Sequence, residues 1–179
     1  MASCNSSSSR EGKPQVRMLE YSDSLWQKHK SIRALFHFKR NVIEDRQTEM
    51  KQVLQKLKFI DPNHISSEEL ADVIQYEAVY RVYKDVVGNY TNTVLEAEDL
   101  FYIVRGLEKQ VKKGAYDNGV DEVKRIQFKK EYDEINNRLT KNLEDASFIN
   151  EQLTSVEPAY QRVSPKIDVL MERLESQNF

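Results

Sequence analysis

The sequence predicts an all-α protein: three long helices folded up-down-up into an elongated antiparallel coiled-coil bundle. Three observations carry that expectation. Apolar residues recur at alternating steps of four and three over three long stretches, the spacing that lines one face of a helix packed lengthwise against others. Breakers are scarce, with five glycines and four prolines in 179 residues. Charged residues make up 31% of the chain, enough to solvate the outer faces of long helices, whereas a packed sheet needs more turn residues.

The strongest stretch steps through Phe128, Tyr132, Ile135, Leu139, Asn142, Ala146, Ile149, Leu153, Val156, Tyr160, Val163, Ile167, Leu170 and Leu174. Every stop but Asn142 is apolar, in a chain that is 39% hydrophobic overall. The elements then follow in order. Residues 1–15, with the run Ser6 to Ser9, Gly12 and Pro14, cannot bury enough surface to offset their ordering entropy. They read as a disordered tail ahead of one elongated domain, 16–179.

The first helix is expected over about 16–60, with the seam Leu25, His29, Ile32, Phe36, Lys39, Ile43, Arg46, Met50, Val53, Leu57 and Ile60. Its non-apolar stops are all basic types. Lys39 and Arg46 either lay their methylene stems on apolar neighbours or meet a partner's carboxylates, which sets register at a cost in stability. A frayed mid-section is the third reading. Pro62 cannot continue the hydrogen-bond ladder and restricts Asp61, so the helix ends there. Ser66 and Glu69 then have capping-box spacing, with Ile65 and Leu70 placed for a hydrophobic staple.

The second helix is expected over about 67–112, with the seam Tyr76, Val79, Tyr83, Val86, Tyr90, Thr93, Ala97, Leu100, Val104, Leu107 and Val111. A second column, Val73, Tyr80, Val87, Val94 and Phe101, widens the stripe to suit a helix touching two neighbours. Gly88 and Gly106 lie off the seam, where they lower helix propensity and allow either a bend or a partner's close approach. Gly114 is a natural helix stop and Asn118-Gly119 suits positive φ. The third helix, about 121–175, holds Pro158 and Pro165 two places after Val156 and Val163. That is the outward face, so the expectation is a bend on the solvated side or a restart at Ser164-Pro165.

Chemistry is hard to find. A net charge of −2 supplies no surplus of Lys and Arg for neutralising phosphates, which argues against nucleic-acid binding. Cys4 is the lone cysteine, so there is no intramolecular disulfide and no multi-cysteine zinc site. No run is apolar enough to span a membrane, and the first residues lack a signal peptide's apolar core. His29 and His37 are eight apart rather than the four that lets two helical histidines grip one metal. No glycine-rich phosphate loop occurs. No catalytic residue, cofactor or metal is therefore expected, and the protein reads as cytoplasmic and non-enzymatic. The candidate functional residues are the seams themselves, from Tyr76 to Leu107 and from Leu139 to Leu174, with Lys39, Arg46 and Asn142 as register-setting positions. Their unequal widths point to a bundle shared with other subunits.

At the first turn, Leu57-Lys58-Phe59-Ile60-Asp61-Pro62, then Ile65 and a tyrosine- and valine-rich helix, resembles the dynactin subunit 3 family, the smallest shoulder subunit of dynactin. The layout of a helix before Asp-Pro, a long second helix, a loop and a heptad helix is similar, as is the character of 151–175. The resemblance covers most of the chain after residue 18, as layout and hydrophobic phase. The serine-rich start and the two late prolines depart from it. It implies a non-catalytic subunit that bundles with dynamitin and helps attach the large Glued-type arm for dynein-driven microtubule transport. It also implies a place at the cytoskeleton: centrosome, spindle or kinetochore. An adaptor or tether of a vesicle-trafficking or kinetochore complex, or a self-associating helical scaffold, would show equally long heptad helices.

Overall fold

The computed structural model describes residues 14–115 and 122–177. Within them the chain is all-α: α1 (Pro14–Leu35), α2 (Arg40–Leu57), α3 (Ser67–Lys112) and α4 (Glu122–Ser176), with a single 3-10 turn at Pro62–His64. Most of the serine-rich stretch, the start of the third predicted helix at residue 121 and the Asn118-Gly119 turn lie outside the described residues.

Contacts across the helices give the topology. Along α3 and α4 the paired residues run in opposite directions: Glu69 with Arg173, Asp72 with Lys166, Glu96 with Arg138. Between the first segment and α4 they run the same way, Lys28 to Asn136 and Lys56 to Glu175. The rod is therefore up-down-up. At 1.5 Å per residue, the 55 residues of α4 extend about 80 Å.

The expected first helix, 16–60, is two helices. Residues 36–39 leave the helix between α1 and α2. Neither glycine nor proline marks the spot; tertiary contacts make the break. The Tyr90 hydroxyl donates to the Phe38 carbonyl, and the Phe36 ring meets the Tyr90 ring edge-on at 5.6 Å. An unbroken helix would carry Lys39 into a seam position, where an unpaired ammonium is expensive to bury. With the break, Lys39 is exposed at the N-cap of α2.

Each half of the rod has its own core. Leu25 and Ile32 of α1 pack with Leu100, Val104 and Leu107 of α3 and Ile135 and Leu139 of α4. Ile43 and Met50 of α2 pack with Tyr76, Tyr83 and Val86 of α3 and Leu153, Val163 and Ile167 of α4. The backbone of α2 lies close on α3 and stands further from α4, so tyrosines and arginine span that side.

The turns are built as their residues dictate. Ser66 Oγ accepts from the Glu69 amide at 3.2 Å and the Glu69 carboxylate accepts from the Ser66 amide at 2.7 Å, a complete capping box. Gly114 has φ 74°, a left-handed conformation that a Cβ disfavours. It closes α3 by donating to the Val111 carbonyl while Ala115 donates to that of Gln110, the paired bonds of a Schellman stop. Helix α4 runs unbroken across Pro158 and Pro165. Both are exposed, and water can take the carbonyls their missing N–H groups leave free.

The glycines give the first prediction. A Cβ at Gly88 or Gly106 meets nothing within 4 Å, so Gly88→Ala should stabilise the chain by about 0.5–1 kcal/mol. Gly114→Ala should destabilise it by about 1 kcal/mol or more. Thermal melts of both variants check the opposite signs.

Candidate functional site

The seam residues expected to meet partners lie inside this chain. Tyr76, Val79, Tyr83, Val86, Tyr90, Leu100, Val104 and Leu107 are buried on α3. Leu139, Asn142, Ile149, Leu153, Val156, Val163, Ile167, Leu170 and Leu174 are buried on α4. Tyr160 is half-buried against the same core. The three segments close the bundle by themselves, leaving the outer faces for anything else.

Three polar groups interrupt the apolar column near the middle of the rod. The His29 Nε2–H donates to the Ala97 carbonyl at 3.0 Å. The Asn142 Nδ2–H donates to the Thr93 carbonyl at 3.0 Å, one helical turn away on α3. Thr93 is itself buried, its hydroxyl donating to the Asn89 carbonyl at 2.8 Å. Asn142 is 3% exposed, and its Oδ1 has no hydrogen-bond partner. An orphaned buried acceptor is destabilising, so Asn142 serves specificity better than strength. Burial holds the His29 pKa below its ordinary 6.5; the charge of Arg33 pushes the same way, and the bond to Ala97 opposes.

Arg46 is the second polar device, and it touches both other helices. Its Nη1 donates to Glu157 Oε2 at 2.7 Å and to the Tyr83 hydroxyl at 2.9 Å. Its guanidinium sits 4.5 Å from the centre of the Tyr160 ring, a cation–π geometry. Tyr83 also donates to Glu157 Oε2 at 3.2 Å, and Gln161 to Oε1 at 2.6 Å. Burial pushes the Tyr83 hydroxyl up to about 12 despite the nearby arginine. Burial alone would raise Glu157, but the bonds from Gln161, Arg46 and Tyr83 outweigh it and hold the carboxylate below its usual range. Of the three readings for Arg46, the structure comes nearest the second but with a correction: the carboxylate it meets is Glu157 of this chain's own α4, not a partner's. Glu157 was not singled out from the sequence. A basic residue in a seam calls for an acid at the facing layer, yet nothing in one sequence says which layer faces it.

The outer surface has two features. Large apolar side chains stand in solvent, with Phe59 91% exposed in the turn after α2. Ile74, Leu95 and Tyr102 are exposed on α3 and share a column with Gly88, all separated by multiples of seven residues. The second feature is a cleft of about 820 Å³ where the chain leaves α1 and re-enters α2. Above Tyr90 and Ala97, it collects Phe36, Phe38, Phe101 and Tyr102 with Arg33, Lys39, Arg40 and Glu98. The N-cap of α2 there has no side-chain cap and no acid in its first turn. No group of His, Cys, Asp or Glu able to hold a metal ion occurs among the described residues. No helix there is long and apolar enough to cross a membrane.

The chain matches no protein-family description, no curated protein and no solved structure.

The two polar devices give separate predictions. In a double-mutant cycle of Arg46→Met and Glu157→Gln, denaturant melts should show a coupling of about 1–3 kcal/mol; additive effects would mean no working contact. For His29 the folded pKa lies below the unfolded one, so the unfolded chain binds more protons and stability falls as pH drops below about 6.5. The stability that carboxylates such as Glu157 contribute is fully present around that pH and is lost only below about 4.5, as they take up protons. Between pH 7.5 and 5.5 the melting temperature should fall, and His29→Gln should flatten that slope.

Proposed function

We propose that this chain is a non-catalytic structural subunit of a hetero-oligomeric helical assembly. The particular reading is the dynactin shoulder, where it helps dynamitin anchor the Glued-type arm for dynein-driven transport. The identity of the assembly rests on the residues that resemble the dynactin subunit 3 family, above all Leu57 to Pro62 before Ile65. The observation that supports an assembly role in general is the exposed apolar set on an otherwise closed rod. Phe59, Ile74, Leu95 and Tyr102 stand largely in water outside the core, and large apolar side chains held exposed on ordered elements, with Leu95 and Tyr102 two turns apart on one face, suit a protein contact. Gly88 lies in the same column with open space beside it, so a neighbouring helix could approach closely.

Partners would thus meet the outer face, and the buried seam would act indirectly by keeping that face rigid. Leu153→Asp tests folding rather than binding, since it places a charge in the core. The informative variants are Phe59→Ser and Ile74→Ser. Tagged chain recovered from cells and examined by mass spectrometry should bring down dynamitin and the Glued-type subunit. Either substitution should reduce that recovery several-fold, with the melting temperature of the isolated chain unchanged. Recovery of a membrane-tethering or kinetochore complex instead would replace the dynactin reading. Recovery of the chain alone would end the assembly reading.

A further inference from the structure

We infer that the cleft at the α1–α2 break is a docking site for an acidic segment of a partner protein. That segment would set an aromatic or large aliphatic side chain between carboxylates. The break uncovers a part of α3 that the first segment covers elsewhere, and the exposed surface is aromatic: Phe36, Phe38, Phe101 and Tyr102 line it, with Tyr102 68% exposed. Such a floor favours an apolar anchor, the kind of side chain that dominates protein interfaces.

The rim supplies the charge preference. Arg33, Lys39 and Arg40 line the cleft with His29 and a single carboxylate, Glu98. Arg40 is engaged by Glu44 at 2.9 Å. Arg33 and Lys39 form no ion pair among the described residues, in a chain whose total charge is −2. Two unpaired cations beside an aromatic floor complement a carboxylate-flanked apolar side chain, and arginine in addition binds carboxylates bidentately. The break is held open by the Tyr90 bond to the Phe38 carbonyl, so the cleft exists before any occupant arrives, which lowers the entropy lost on binding. The chain's own first residues are poorly matched, since Arg10 and Lys13 outnumber Glu11 there.

The inference rests on the assembly reading above and names where on the surface one partner would engage. Its test uses the full chain, immobilised, against a displayed library of random twelve-residue peptides. Selected peptides should be rich in Asp and Glu around Phe, Trp or Leu. Their affinity should fall at least about tenfold in Arg33→Glu/Lys39→Glu and about tenfold in Tyr102→Ala, the scale of losing one interface anchor. These side chains are exposed, so helicity and melting temperature should hold in both variants. Peptides without acidic enrichment, or acidic peptides binding the variants equally well, would overturn the inference. So would sedimentation showing self-association that Tyr102→Ala abolishes, because the occupant would then be a second copy. A positive selection with an empty cellular pull-down retires the assembly reading and keeps the cleft; the reverse pattern retires the cleft alone.

Discussion

A heptad rod has a weakness that its apolar layers cannot cure. Slide one helix by seven residues, roughly 10 Å at 1.5 Å per residue, and leucines, valines and tyrosines still face leucines, valines and tyrosines. Arg46 removes that freedom in the α2 half. Its guanidinium must meet Glu157, the Tyr83 hydroxyl and the Tyr160 face together, and a slide by one heptad leaves Arg46 and Glu157 each half-buried without the other. In the other half, Asn142 and His29 reach the carbonyls of Thr93 and Ala97, acceptors that recur at every heptad and so weigh less against a slide. Apolar burial supplies the stability, while the Arg46 cluster favours one among arrangements that burial alone leaves nearly equal.

The interruption at residues 36–39 follows from the same register. Once Arg46 is anchored opposite Glu157 and His29 opposite Ala97, a straight helix between them would carry Lys39 into the seam with no acid to meet it. The chain instead leaves the helix, caps α2 with an exposed Lys39 and lets Tyr90 hold the detour through the Phe38 carbonyl. The cleft is the by-product of that detour. Structure and candidate site are therefore linked: the basic rim and the aromatic floor lie together because the bundle could not bury the one lysine in its path.

Much of this was legible in the residues. The four-three spacing gave the three seams, the capping box at Ser66 and Glu69 gave the start of α3, and Gly114 gave its end, because each is a local rule with a local cause. The prolines could be placed on the outer face by counting from Val156 and Val163, although that count left open a bend or a restart, and the helix does not restart. What stayed hidden depends on facing layers. The break has no glycine or proline to announce it; Phe36 and Phe38 leave the helix for contacts with Tyr90, 52 residues away from Phe38. Glu157 looks like any solvated carboxylate until α2 is laid beside α4. The seams themselves read equally well as partner-facing or self-facing, and the structure has this chain's own helices occupying them.

The central claim is that one copy of the chain closes its own core. Thermal unfolding of the isolated protein, followed by circular dichroism over a hundredfold range of concentration, bears on it most directly. A self-closed rod unfolds with a melting temperature independent of concentration. A melting temperature that climbs with concentration would contradict the account, because the seam would then need a second chain to be covered.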